Sequence, residues 1–412
     1  MSLASALRRV RAATLTLVRP LGPEDCAIQS DPDVSPAKWH LAHTTWFFET
    51  FVLLPHAPGY RAFHPAFGFL FNSYYETVGE RHERPRRGQL SRPDLETVLA
   101  YRAHVDQALD GLLAAAAPPL AAVLAPLLEL GLQHEQQHQE LLLMDIKHVL
   151  GTQPLRPAYR QDLPQAARCA AAPLDWIELP GGQVRIGHDG RGFAFDNELP
   201  KHAALVPPHA LASRPATCGD YLAFLADDGY RRADLWLADG WDFAQRHRWE
   251  APLYWQRDAA GAWLVYTLGG LRELREEEPV CHLSFYEADA FARWSGARLP
   301  TEHEWEAAAR PAWPGAPSAT TLHPEPAPHG AGLQQLHGTV WEWTASAYLP
   351  YPGFQPLPGS LGEYNGKFMS GQMVLRGGCC ATPAGHARPS YRNSFQPGKR
   401  WPFTGMRLAR DL

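Results

Sequence analysis

Apolar residues recur at three-to-four spacing through residues 3–18, 37–54, 95–115 and 120–150, and the pattern then stops. That period is the core-facing stripe of a helix bundle, so residues 1–150 are predicted to be a helical domain. Its second and third helices are joined by an aromatic and basic connection, residues 55–93, whose length inside a compact domain points to function. Residues 151–173 turn to Pro, Ala, Arg and Gln without period and read as a linker. From 174 to 412 the apolar runs are short and broken by Gly, Pro, Asp and Trp, which predicts irregular strands, with helices expected at 284–295 and 302–310. The fold class expected is therefore α+β, and 412 residues exceed what one core usually holds.

A formal net charge of -5, with 38 basic and 43 acidic residues, gives no footprint for nucleic acid or an anionic membrane. No uninterrupted apolar run reaches transmembrane length, and the apolar stretch after Arg8, Arg9 and Arg11 is too short for a signal segment. Six cysteines without a C-x-x-C pair read as reduced cytoplasmic thiols rather than a disulfide framework. Small-molecule substrates are favoured.

The sharpest local signal is His134-Glu135-Gln136-Gln137-His138 within an apolar helix. At about 100° per residue, the two imidazoles stand about 40° apart on one face, where both reach one cation. Gln137 falls near that face, whereas Glu135 points about 100° away. The run also matches the H-E-x-x-H pattern of zinc proteases, in which the Glu is the general base. A second helix carries His40 and His43 one turn apart, and either can complete a three-imidazole set. Such a set with open positions suits Fe(II) or Zn(II) equally. Against this stands the ordinary fate of helix histidines, which is solvation or packing, in a chain with 19 of them.

The run from Ser35 to Thr50, SPAKWHLAHTTWFFET, resembles the amino-terminal motif of the ergothioneine sulfoxide synthases, as do Phe71-Asn72-Ser73-Tyr74-Tyr75 and HEQQHQE at 134–140. In that family a DinB-like four-helix bundle precedes a domain resembling formylglycine-generating enzymes, a variant of the C-type lectin fold. The marks of that second domain are present: RLPTEHEWE from Arg298, GTVWEW from Gly338, VLRGG from Val374 and GMRLA from Gly405.

The resemblance implies that His43, His134 and His138 bind Fe(II), with His40 a supporting or packing residue. It implies substrates too: the trimethylated histidine hercynine, a thiol that is cysteine or γ-glutamylcysteine, and O2. Tyr75, then Tyr74, would supply the proton that steers C–S coupling over thiol dioxygenation. Arg84 and Arg87, set in RPRRG, would hold the thiol's carboxylate through bidentate guanidinium contacts. Gln137 and the segment Asn393-Ser394-Phe395 would line the imidazole pocket. The family commonly has an aromatic where Ser394 stands, and a serine where Cys379 stands.

Other readings fit parts of the chain. A formylglycine-generating oxidase needs cysteines placed for copper, and the adjacent Cys379 and Cys380 are poorly arranged for that. A DinB-like zinc transferase fits three histidines alone. Related enzymes joining thiols or selenols to histidine share the chemistry, and a lectin-like binding module would need no redox metal.

Overall fold

Four helices build the amino-terminal part of the computed structural model, which describes residues 2–313 and 321–412. They are α1 (Leu3–Val18), α2 (Ala37–Phe48), α3 (Leu95–Ala115) and α4 (Pro118–Gly151). Ser2 caps α1 by accepting from the Ser5 amide, and Asp94 caps α3 by accepting from that of Thr97. Pro118 opens α4 at a position where a missing N–H costs nothing. Helix α2 lies against both α3 and α4, and α1 lies against α4.

Every residue of α2 is buried, because Trp39, Leu41, Ala42, Trp46, Phe47 and Phe48 cover most of its circumference with apolar surface. Each such large side chain contributes roughly 1.5–3 kcal/mol on burial. Its threonines bond back along the helix: Thr44 to the His40 carbonyl and Thr45 to that of Leu41. Helix α4 approaches closely at Gly131, where an added Cβ would stand 2.5 Å from the Phe48 ring. That approach brings the histidine-bearing stretches of α2 and α4 face to face.

The helix widens into a π-turn over Glu49–Leu53, just before Pro55, which has no N–H to return to the preceding turn. The turn's first residue, buried Glu49, accepts from the Tyr60 hydroxyl (2.8 Å), the Phe63 amide (2.9 Å) and the Tyr101 hydroxyl (2.6 Å). One carboxylate thus fastens the long connection to α3.

The chain divides into two compact units, Met1–Leu155 with Leu357–Tyr364, and Arg156–Pro356 with Asn365–Leu412. The strip Leu357–Tyr364, which the sequence reading groups with everything after 173, therefore belongs to the helical unit.

The second unit consists of short strands and helices, three of which open on reciprocal caps. Strands β1 (Trp176–Leu179), β2 (Gly182–Ile186), β3 (His202–Val206) and β4 (His209–Ala212) come first. Gly181, between β1 and β2, has φ +67°, and a Cβ there would meet the Val206 carbonyl at 2.4 Å. Helices α5 (Cys218–Ala226) and α6 (Ala238–His247) follow, then the meander β5 (Trp255–Arg257), β6 (Trp263–Thr267) and β7 (Gly270–Glu273). After helices α7 (Phe285–Trp294) and α8 (Glu302–Ala312) come β8 (Trp341–Ala347), β9 (Met373–Arg376), β10 (Asn393–Phe395), β11 (Thr404–Gly405) and β12 (Ala409–Asp411). The last strand, β12, pairs with β4 beside β1, and β10-β9-β8-β11 form a second sheet.

Capping boxes at Thr217/Asp220, Ser284/Glu287 and Thr301/Glu304 start α5, α7 and α8. The helices expected at 284–295 and 302–310 are α7 and α8; α5 and α6 lie where only irregular strands were expected. Among the described residues no helix is long and apolar enough to cross a membrane, and no cysteine forms a disulfide.

Candidate metal centre

His43 on α2 and His134 and His138 on α4 each offer a ring nitrogen, and these atoms lie within 4.8 Å of one another. Their ring centroids are 4.6–4.9 Å apart in all three pairings. His43 Nδ1 lies 2.6 Å from the Phe71 carbonyl oxygen, so it must donate there. Its Nε2 then carries a lone pair, and that atom is buried without a hydrogen bond. Both ring nitrogens of His134 are likewise buried and unbonded. Leaving such atoms unsatisfied costs about 1–3 kcal/mol each, and a cation at their meeting point removes that cost.

Electrostatics keeps the donors ready. Burial, first of all, lowers the His134 pKa to about 3. Burial and the neighbouring His134 drive His43 and His138 well below the ordinary value. All three are neutral imidazoles at physiological pH, the form that ligates.

His40 does not join the set but supports it. Its Nδ1 is 2.8 Å from His138 Nδ1, and its Nε2 is 3.0 Å from Asp145 Oδ2, which also accepts from the Ser35 amide at 2.8 Å. The tautomer that donates Nε2–H to the carboxylate presents its Nδ1 lone pair to His138, whose Nδ1–H donates to it. His138 Nε2 is left free for a metal. Asp145 stands two turns beyond His138 on the same face of α4, a spacing present in the sequence but not singled out there. Replacing Asp145 by Asn, which can turn a donor toward His40 and reverse the chain of tautomers, is expected to weaken Fe(II) or Zn(II) binding about 10–100-fold. Competition against a chromophoric chelator measures this, and unchanged affinity rules the tautomer lock out.

Glu135, the second residue of the protease-like pattern, points away from the histidines. It is fully buried and bonds Arg102, Arg11 Nη1 (3.1 Å) and Thr14 Oγ1 (2.6 Å). A carboxylate so engaged cannot serve as a base at this centre.

The tyrosine doublet and Arg87 stand close by. Trp39 stacks on His43 with centroids 4.5 Å apart, and the Arg87 guanidinium lies 3.4 Å from the indole centroid. Arg87 is 3% exposed and bonds only neutral hydroxyls, Ser35 at 3.0 Å and Ser73 at 3.2 Å, while its Nε has no partner. Among the described residues no carboxylate pairs with it. Burial, then repulsion from Arg84 and Arg81, pushes its pKa well below the usual value. The nearby Asp145 carboxylate acts on this guanidinium only without contact, which leaves it hydrogen-bonding capacity for an anion. Arg84 is different: it is half exposed and holds the Asp33 carbonyl.

Tyr75 is fully buried between Trp46 and Phe51, its ring 4.7 Å from that of Tyr74. Its hydroxyl makes no hydrogen bond of good geometry, and burial, then the phenols of Tyr74 and Tyr364, raise its pKa far above the usual value. The phenol therefore keeps its proton.

Sequence reasoning missed Tyr364. Its hydroxyl donates to Gln137 Oε1, and its ring lies 5.7 Å from His134 and 6.1 Å from Tyr74. The available signal was the length of the stretch between β8 and β9, which has no strand and holds Tyr364 in Gly-Glu-Tyr-Asn-Gly. Asn393, Ser394 and Phe395 form β10 of the second unit, paired with Met373–Arg376, and Ser394 Oγ bonds Gln372 Oε1 at 2.7 Å.

Residues 6–142 match the DinB superfamily, and residues 161–321 and 318–412 match the Sulfatase-modifying factor enzyme 1-like domain. The chain is 34% identical to the Hercynine oxygenase of Mycobacterium tuberculosis, over 100% of this chain and 99% of that one. It is 32% identical to the Hercynine oxygenase of Mycolicibacterium smegmatis, over 100% and 99%. The Formylglycine-generating enzyme of Streptomyces coelicolor is 28% identical but meets only 57% of this chain. Because the oxygenases match from end to end at 32–34% identity, while the formylglycine enzyme meets little more than half of this chain, the chain belongs to the hercynine oxygenase family.

Proposed function

We propose that the chain is an Fe(II)- and O2-dependent sulfoxide synthase that joins the sulfur of cysteine or γ-glutamylcysteine to the imidazole carbon of hercynine. The observation that carries the reading is three neutral, buried imidazoles whose unspent nitrogens converge beside a buried guanidinium that no carboxylate contacts and a phenol, Tyr75, that keeps its proton. The name shared by the full-length relatives supports hercynine as one substrate.

Iron held by His43, His134 and His138 would supply O2 activation and a seat for sulfur, since three protein ligands leave positions open. The balance is one thiol, one imidazole C–H and one O2 going to one sulfoxide and one water. Without the imidazole, the same thiol and O2 give a sulfinate. Arg87 fits a substrate carboxylate, its burial making that pairing strong. Gln137 offers an amide to an imidazole N–H. The aromatic walls of Trp39, Trp46 and Phe47 exclude water.

Tyr75 keeps a proton that reduced oxygen requires, and the Tyr364 hydroxyl beside Gln137 is a second O–H donor near the histidines. Replacing Tyr75 by Phe is expected to move product from coupled sulfoxide to sulfinate, cutting the coupling rate on the order of 10²-fold. An unchanged ratio, with the shift appearing instead in Tyr364→Phe, would assign the donor to Tyr364. The reading as a whole is tested by loading iron anaerobically, adding hercynine with each thiol, admitting O2 and weighing the products. Full activity in a zinc-only preparation would remove it.

A further inference from the structure

We infer that Glu363 is a positioning residue, which fastens the strip Leu357–Tyr364 to the turn following the tyrosine doublet and so sets where the Tyr364 phenol stands. This rests on the proposed function of the histidine centre. Residues Gly359–Glu363 form a 3-10 turn, in which side chains three apart stand one above the other, so Ser360 and Glu363 face the same neighbour. That neighbour is Thr77.

Glu363 Oε1 accepts from the Thr77 amide (3.0 Å) and the Thr77 hydroxyl (2.6 Å), and Oε2 accepts from the Glu76 amide (3.0 Å). The hydroxyls of Thr77 and Ser360 are 2.8 Å apart. An ionised carboxylate taking two consecutive backbone N–H groups is a strong, directional clasp. On one side of it, Glu76 directly follows Tyr74 and Tyr75. On the other, the residue after Glu363 is Tyr364, which reaches Gln137 and the edge of the His134 ring. The clasp therefore couples two phenol-bearing segments that are distant in sequence. Glu363 itself is spent on these donors and acts through its neighbours.

The full-length, iron-loaded chain tests this with Glu363→Ala and Glu363→Gln. The amide keeps the size but turns a donor toward a backbone N–H, so it should lose part of the clasp. Hydrogen–deuterium exchange over residues 74–79 and 357–364 is expected to speed at least 10-fold in Glu363→Ala and less in Glu363→Gln. Residues 118–151, the unfolding temperature and iron affinity should stay as in the wild type. The sulfoxide-to-sulfinate ratio should fall in the same order, because the clasp fixes both the turn after the doublet and Tyr364. Wild-type exchange in both segments overturns the clasp. Faster exchange with an unchanged product ratio overturns its positioning role. If the wild-type chain forms no coupled product with any thiol, the functional reading fails, and exchange alone still decides the clasp.

Discussion

His134→Ala should abolish tight iron binding and O2-dependent turnover while leaving the metal-free chain nearly as stable as before. Structural zinc sites are worth roughly 10–16 kcal/mol over four ligands, so losing one costs about 3 kcal/mol, or on the order of 10²-fold in affinity. Removing the ring deletes two buried nitrogens that lack hydrogen bonds, a relief of about 1–3 kcal/mol each. Against that stands a cavity in place of the ring, which costs about as much. The two terms oppose each other, so the decisive quantity is the metal-dependent shift in unfolding temperature. Iron at 100 times the wild-type dissociation constant stabilises the wild type by about 2.7 kcal/mol; the variant, bound on the order of 10²-fold more weakly, should gain only about 0.4 kcal/mol. If His134 were merely a packed core histidine, metal would shift neither protein.

The parts legible in the sequence are those that repeat or sit close together. The bundle helices showed in their period, and their observed ends differ from the expected ones by a few residues. His134 and His138 showed in their four-residue spacing on an apolar helix. Helix angle alone also turned Glu135 away from the site, against the protease-like pattern. What it could not show was where Glu135 goes, because Arg11 and Arg102 come from two other helices. Tyr364 was illegible for the same reason, lying 227 residues from the Gln137 it bonds. Helix α5 was hidden by its opening Cys218-Gly219, since glycine is a poor helix former; its Thr217/Asp220 cap was the better indicator. Arg87 and Arg84 look alike in RPRRG, and only burial separates a naked guanidinium from a solvated one.

Glu135→Gln or Glu135→Ala should destabilise the helical unit by about 3–5 kcal/mol, because each leaves buried arginines short of their counter-charge. Arg11 retains Asp106 at 2.5 Å, but Arg102, 1% exposed, keeps only hydroxyls and the Arg11 carbonyl. For a unit of this size that loss lowers the unfolding temperature by roughly 6–20 °C. The pH dependence carries the same signature. Burial would raise the Glu135 pKa, but Arg102 and then Arg11 outweigh it and bring it down to about 2. A depressed carboxylate contributes stability that is present above its unfolded value and is lost as pH falls toward the folded one. Wild-type stability should therefore drop between about pH 4.5 and 2 by an increment that Glu135→Gln lacks. Had Glu135 been a general base, Glu135→Gln would fold as well as the wild type and be inactive; chemical denaturation and chelator competition separate these outcomes, since the structure requires weakened folding with iron binding retained in the molecules that stay folded.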